Sequence, residues 1–489
     1  MQEMSSRATT EEPSTGLQTG WNGRVIGYVA ILMLVNVMVD TVVTAPSFII
    51  AQLKDAFQTT HFAWLDMSAM LAGAMWSPLL GKAADIHGKR RILVFTLLVA
   101  ALGGIVCLIA PNLAVFVLGR ALQGAAVASL FLTVALIRDV CASRFAMVVT
   151  GVVTSGSAAF GIVTPFVLQI ATAAFGWRFV FVVAAGFAAV GALCVRLAIP
   201  NSAVRTPGRL DVAGALVLGG GLAGVLMYIS LGQDLGWLGI LPLAVLAAGV
   251  VALLVWFLVL SRAPEPVIDI RAITPTLGLG FLVVTMGTGA YRSMLSLFGL
   301  LVDVAPEDGL GYGIAGPAAL GLMFGVPSFG ITLGGILAGA VATRVGPAWP
   351  LAAGLVTGTT AALVMFVAGS GNLAIAAVCS FMLSLTAGSM VTSGFNLASL
   401  LTSPEKQGTI SSVVMVMIAI GSVMMSFIGT AILNSTDMVV GGETVNSSLG
   451  VHTYIAVGGC AFVLAAIPMT LLIRRMRRSG VTGGPAVRG

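Results

Sequence analysis

Charge is scarce in this chain. Only 9% of its 489 residues are charged, while 58% are hydrophobic, and mean hydropathy is +1.05. That balance excludes an ordinary soluble domain, in which about a quarter of residues carry charge. Cysteine is scarce too. The five, Cys107, Cys141, Cys194, Cys379 and Cys460, are scattered with no Cys-x-x-Cys pair, which argues against a disulfide framework and a thiolate metal site. Three histidines, His61, His87 and His452, lie far apart and supply no clustered ligand set. No nucleophile motif stands out, so an enzyme is not expected. No Gly-Lys-Ser/Thr phosphate loop occurs, which argues against ATP drive. Repeated filter loops of a channel are missing as well.

Long apolar stretches fill the space that charge leaves. They recur near the ~20 residues a helix needs to cross a bilayer. Runs such as 92–110 and 238–260 do not alternate in polarity, as barrel strands would, so helices are expected. Fourteen spans are read, at 24–48, 62–82, 92–110, 112–137, 146–173, 178–199, 210–231, 238–260, 277–302, 313–342, 348–369, 372–401, 408–434 and 451–473. Pro111, Pro200, Pro264, Pro266, Pro306 and Pro404 mark connections. With both termini placed in the cytoplasm, twenty of the 24 basic residues fall on the inner side. Lys54 and Arg178 fall outside, and Arg120 and Arg292 lie within spans. This bias predicts a multi-pass protein of the cell (cytoplasmic) membrane with inward-facing basic loops. The same distribution accounts for the net charge of +6 without nucleic acid.

Four ionised groups stand inside spans: Asp40, Asp66, Arg120 and Arg292. Charges in hydrocarbon are costly and mark polar pathways, which points to a transporter. The halves also echo each other. Gly81-Lys82-Ala83-Ala84-Asp85-Ile86-His87-Gly88 and Gly339-Ala340-Val341-Ala342-Thr343-Arg344-Val345-Gly346 both read Gly-x-x-Ala-x-x-x-Gly after corresponding spans. The placement divides the chain into a disordered tail (1–23), a six-helix bundle (24–199), two extra helices with linkers (200–275), a second six-helix bundle (276–475) and a basic tail (476–489). Repeated halves with a central site are a transporter architecture.

The stretch Gly81 to Arg91 resembles the loop between helices 2 and 3 of the major facilitator superfamily. The resemblance implies that Gly81, Asp85, Gly88 and Arg90 form a latch joining the halves when the cavity faces outward. Leu118-Gly119-Arg120-Ala121-Leu122-Gln123-Gly124 is similar to a second motif of that superfamily, whose arginine is implicated in proton transfer. Arg120 stays charged at any accessible pH, so it can tune a neighbouring carboxylate but cannot carry the proton. In the fifth span, Gly161, Thr164 and Pro165 ahead of Gly176-Trp177-Arg178 resemble an antiporter motif. Here Thr164 replaces the usual glycine before proline, and Leu168-Gln169 replaces a glycine pair, so the bend is kept and the smallness lost. Val39-Asp40-Thr41 resembles the Asp-x-Thr signature of the fourteen-helix drug:proton antiporters, with Thr displaced by one residue. Asp211 and Trp237 suit that branch.

The expected fold is therefore an all-α membrane protein, a major facilitator fold of 14 transmembrane helices in a 6 + 2 + 6 arrangement. Asp40, Asp66 and Arg120 are the expected proton-coupling cluster. Gln123, Gln169, Arg292 and Asn396 are candidate cavity residues. Methionines such as Met415, Met417, Met424 and Met425 could adapt to apolar ligands. The expected activity is proton-coupled efflux of small amphipathic or hydrophobic compounds such as antibiotics. The alternative is proton-coupled uptake of a small metabolite. No cofactor or metal is expected, only the proton gradient. Expected partners are a small-molecule substrate, protons and the lipid bilayer, with no nucleic acid, and the protein is expected to work as a monomer.

Overall fold

The computed structural model describes residues 17–478 apart from 59–61, 203–204, 260–261, 265, 267, 269–270, 272, 303, 305–310, 315, 370, 437 and 441–442. These residues form a bundle of long helices: α1 (Gly23–Phe48), α2 (Phe62–His87), α3 (Lys89–Ile109), α4 (Leu113–Val140) and α5 (Ser143–Ile162, continued by Thr164–Phe175). Then come α6 (Arg178–Ala198), α7 (Val212–Leu235), α8 (Ile240–Leu258), α9 (Pro275–Val302), α10 (Ala318–Val345) and α11 (Ala348–Gly369). The last are α12 (Leu373–Leu400), α13 (Gln407–Thr436) and α14 (Ser448–Arg478). Among the described residues, 11 helices are long and apolar enough to cross a membrane. The long helices α2, α7 and α9 fall outside that set. A short hairpin, β1 (Met438–Val440) with β2 (Glu443–Val445), joins α13 to α14.

Polar residues start several helices by accepting an otherwise orphaned backbone N–H. Asn22 caps α1, Asn112 caps α4, Asn372 caps α12 and Asp211 caps α7. The helices pack around two hydrophobic cores. One is built from α1–α8, with Val35, Leu97, Phe131 and Ala188, and the other from α9–α14, with Leu297, Leu383 and Phe462. Phe395, Ile410 and Val414 of the second body enter the first core where the bodies meet. The outer surface is apolar, as at Leu197, Ile240 and Val367, and suits lipid rather than water. Helices α7 and α8 pack on each other through Gly221, Gly224 and Gly249, and α7 meets Met75 of α2 at Gly219.

The seam between the bodies is glycine-lined, because hydrocarbon gives packing no hydrophobic drive and helices must approach closely. A Cβ on Gly81 of α2 would stand 2.8 Å from the Gly408 carbonyl oxygen at the start of α13. A Cβ on Gly339 of α10 would stand 2.7 Å from the Met147 oxygen of α5, and one on Gly151 2.4 Å from the Gly335 oxygen. The two echoed motifs thus do the same work in opposite directions. Their second glycines also match: Gly88 has φ +97° and Gly346 φ +85°, values that L side chains rarely adopt.

Gly151→Leu is expected to wedge α5 from α10 and lower stability by about 1–3 kcal/mol, the usual penalty for overpacking. Thermal unfolding of purified protein should show it, with Gly186→Leu on α6, which has open space around it, as the silent control. Equal melting temperatures for the two variants would refute close packing at this point.

Candidate functional site

Pro46 lies inside α1. Its ring nitrogen has no hydrogen to give the carbonyl one turn earlier, which belongs to Val42. The guanidinium of Arg120 supplies that donor: Nη1 bonds the Val42 oxygen at 2.6 Å and Gln123 Oε1 at 3.1 Å. Arg120 is fully buried. A buried charge persists only when its donors are engaged, and a carbonyl freed by proline is one such acceptor. Gln123, buried beside Gly103, also receives the Cys107 thiol. In this conformation Gln123 orients Arg120 and does not line an open cavity.

Two residues before Val42, Asp40 is solvent-accessible while Val39, Thr41 and Val42 are buried. The buried Ser157 side chain of α5 hydrogen-bonds it. One turn below, Asn36 Nδ2 donates to the Val153 oxygen at 3.0 Å and to Thr133 Oγ1 at 3.4 Å. Below that, the Met33 sulfur sits 2.8 Å from where a Gly156 Cβ would be. The face of α1 that carries Met33, Asn36 and Asp40 therefore rests on α5 rather than on lipid. The helical spacing of Asn36 and Asp40 was the signal in the sequence for this face, whereas Ser157 is a lone serine and gave none. The side chain of Asp66, on α2, lies outside the described residues.

At the basic end of the bundle, Asp85 reaches across to the second body. It accepts the Gly408 N–H at 2.8 Å, the Thr409 N–H at 2.8 Å and the Thr409 hydroxyl at 2.7 Å. A carboxylate on these first-turn donors of α13 also meets the positive end of that helix. Arg90 stays within the first body, where it donates to the Ile199 carbonyl at 2.8 Å and caps α6. Neighbouring Lys89 is buried and paired with Asp139, which Ser202 also bonds. The connector after α6 ties into the latch, as the Thr206 N–H bonds the Asp85 carbonyl and its hydroxyl the Glu405 carbonyl.

Asn396 is placed at this seam and not in an open cavity. Fully buried, it accepts from Arg138 Nη2 at 3.1 Å and donates to the Met147 carbonyl at 3.3 Å. Nearer mid-depth, Thr392 Oγ1 lies 3.1 Å from Thr154 Oγ1 and 3.2 Å from Ser155 Oγ. Gln169 and Arg292 are exposed, and their placement does not join them to Asp40. In α5 the segment Ser157–Ile162 tightens to a 3-10 helix, and a new helix restarts with Pro165 in its first turn. There proline's missing N–H removes no helical bond. Thr164 Oγ1 bonds the Phe160 carbonyl at 2.8 Å, and Gly161 faces the Ser328 hydroxyl of α10. Among the described residues, no group of His, Cys, Asp and Glu is placed to hold a metal ion.

A family model described as the Major Facilitator Superfamily matches residues 29–319. Over 289 residues the chain is 31% identical to a triacylglyceride transporter of Mycolicibacterium hassiacum, covering 57% of this chain and 52% of that protein. It is 25% identical over 330 residues to a multidrug resistance protein B homolog of Mycobacterium tuberculosis, covering 65% of this chain and 59% of the relative. The matched part is thus little more than half of either relative. Among solved structures, the human organic anion transporter superposes with a TM-score of 0.61 over 92% of this chain and 99% of that one. At 15% identity, that likeness is one of fold.

Arg120→Ala should leave the Val42 carbonyl without its donor and destabilise the protein by about 1–3 kcal/mol, the penalty for an unsatisfied buried group. Pro46→Ala restores a backbone N–H to that carbonyl, so the double variant should recover part of the loss in a thermal-unfolding cycle. Strict additivity of the two changes would show that Arg120 does not serve the proline break.

Proposed function

The chain belongs to the major facilitator superfamily, and on that footing we propose that it is a proton-coupled exporter of small amphipathic or hydrophobic compounds. It crosses the cytoplasmic membrane fourteen times, with both termini in the cytoplasm. Bundles at 24–199 and 276–475 rock about a central site, and the helices of 200–275 are an addition to that plan. The drive is the proton gradient, with no cofactor, and the working unit is a monomer.

The observation that carries this reading is an accessible carboxyl, Asp40, in a helix whose neighbouring residues are buried. It bonds a neutral hydroxyl, and the permanent charge of Arg120 is anchored two residues away. Such a carboxyl can bind and release a proton, while Arg120 biases the exchange without itself titrating. Each proton moving down the membrane field releases about 2.3 kcal/mol per 100 mV, enough for roughly fiftyfold accumulation of a neutral substrate. The relatives named for multidrug resistance and for triacylglyceride transport both support an apolar cargo. The second relative favours a lipid as a further reading of that cargo.

In this reading Asp40→Asn abolishes transport driven by a pH gradient but leaves substrate–substrate counterflow. Everted vesicles given a labelled amphipathic drug, and separately a fluorescent triacylglyceride, measure both modes and the direction. Full gradient-driven accumulation by the variant would remove Asp40 from the mechanism. Gradient-driven movement in the opposite direction would make the protein an uptake system.

A further inference from the structure

Residues 151–157 of α5 are bonded on two faces at once. On one face Ser157 holds Asp40, Val153 offers its carbonyl to Asn36, and Gly156 takes the Met33 side chain. On the other face Thr154 and Ser155 meet Thr392 of the second body, and Gly151 lies against the Gly335 backbone. Ser157 is also the residue at which α5 passes from α-helix (Ser143–Gly156) to the 3-10 stretch Ser157–Ile162. A 3-10 turn has poorer hydrogen-bond geometry than an α-turn, so such a junction shifts register more readily than the helix on either side.

We propose that Ser157 is the positioning residue that passes the proton state of Asp40 to the lobe seam, through the α-to-3-10 junction of α5 and the Thr154–Ser155–Thr392 contact. The proposal rests on the reading of Asp40 as the proton-binding group. As a carboxylate, Asp40 only accepts hydrogen bonds, so the Ser157 hydroxyl donates to it and is committed to α1. As a carboxylic acid, Asp40 becomes a donor, and the Ser157 hydrogen is free to bond a carbonyl of its own helix. That exchange alters the junction two residues from the seam hydroxyls. Few other groups compete. On the helices packed against α1, the ionisable residues near this depth are Arg120 on α4 and Asp66 on α2. Those of α6, Arg178 and Arg196, stand at its two ends, and Arg144 of α5 lies at the basic end. A coupling element of this kind has two arrangements that both sites bias.

The test compares wild type, Asp40→Asn, Ser157→Ala and Ser157→Thr as full-length protein in lipid. One readout is hydrogen–deuterium exchange of α5 above and below neutral pH, corrected for the intrinsic chemical rate. The other is transport with and without a pH gradient. Wild type should change its α5 protection with pH, and Asp40→Asn should not. Ser157→Ala should lose that pH response and about tenfold of gradient-driven accumulation, mid-range for coupling between sites, while counterflow stays within about twofold. Ser157→Thr, which keeps the hydroxyl, should restore both. A Ser157→Ala protein that keeps the wild-type pH response overturns the link through Ser157 and leaves Asp40 in place. A pH response that survives in Asp40→Asn overturns both readings. Should Ser157→Ala not fold, Thr392→Val removes the far end of the link and carries the same expectations.

Discussion

Hydrocarbon offers a backbone carbonyl no water, so every break in a helical ladder must be repaired from within the bundle. Two prolines set this constraint where the polar chemistry lies. Pro46 in α1 strips a donor from the Val42 carbonyl, and the buried Arg120 supplies one from α4. Pro165 in α5 stands where the helix restarts after a 3-10 stretch, and the segment between brings Gly161 against Ser328 of α10. The two breaks flank the Asp40–Ser157 contact. The chain therefore departs from regular helix on both sides of its one accessible membrane-embedded carboxyl whose side chain is described, and its most deeply buried arginine serves one of those departures.

The seam follows a different rule, symmetry in shape without symmetry in charge. Gly81 on α2 and Gly339 on α10 each open a close crossing to the other body, and each is followed seven residues later by a glycine in the left-handed region. The polar clasp beside each crossing differs. Asp85 caps α13 on one side, whereas the matching position on α10 is Thr343, which bonds only within its own helix. On that side the clasp comes instead from Asn396 of α12, holding Arg138 and the Met147 carbonyl. Duplicated packing has been kept while the hydrogen bonds have diverged, as suits two crossings that carry different loads.

Much of this was legible in the sequence. The long apolar runs gave the helices, the Gly-x-x-Ala-x-x-x-Gly echo gave the paired crossings, and charge within apolar runs picked out Asp40 and Arg120. What stayed hidden depends on contacts between distant segments. Asn396 read as a cavity residue because a lone amide in a span does not reveal whether it faces a cleft or a neighbouring helix. Arg90 read as part of the latch because its motif is contiguous, yet its reach goes to α6 within its own body. The connector residues Ser202 and Thr206 carried no pattern at all, since their bonds to Asp139, Asp85 and Glu405 exist only once α2, α4 and α13 have come together.

The number of bonds at the basic end bears on the energetics of the proposed cycle. Separating the bodies there breaks the three bonds to Asp85, the Thr206 bond to Glu405 and the two bonds of Asn396. Bonds to a charged group are worth about 1.5–3 kcal/mol each and neutral ones about 1, and water entering the opened end returns part of that. The net barrier is then a few kcal/mol, close to the ~2.3 kcal/mol that one proton releases per 100 mV. A latch much weaker would open without proton binding, and one much stronger would hold against it. The α7–α8 pair adds little to the barrier. It docks on α2 through Gly219 and moves with the first body, while the connector that leads to it crosses the latch and must let go of Glu405 whenever the bodies part.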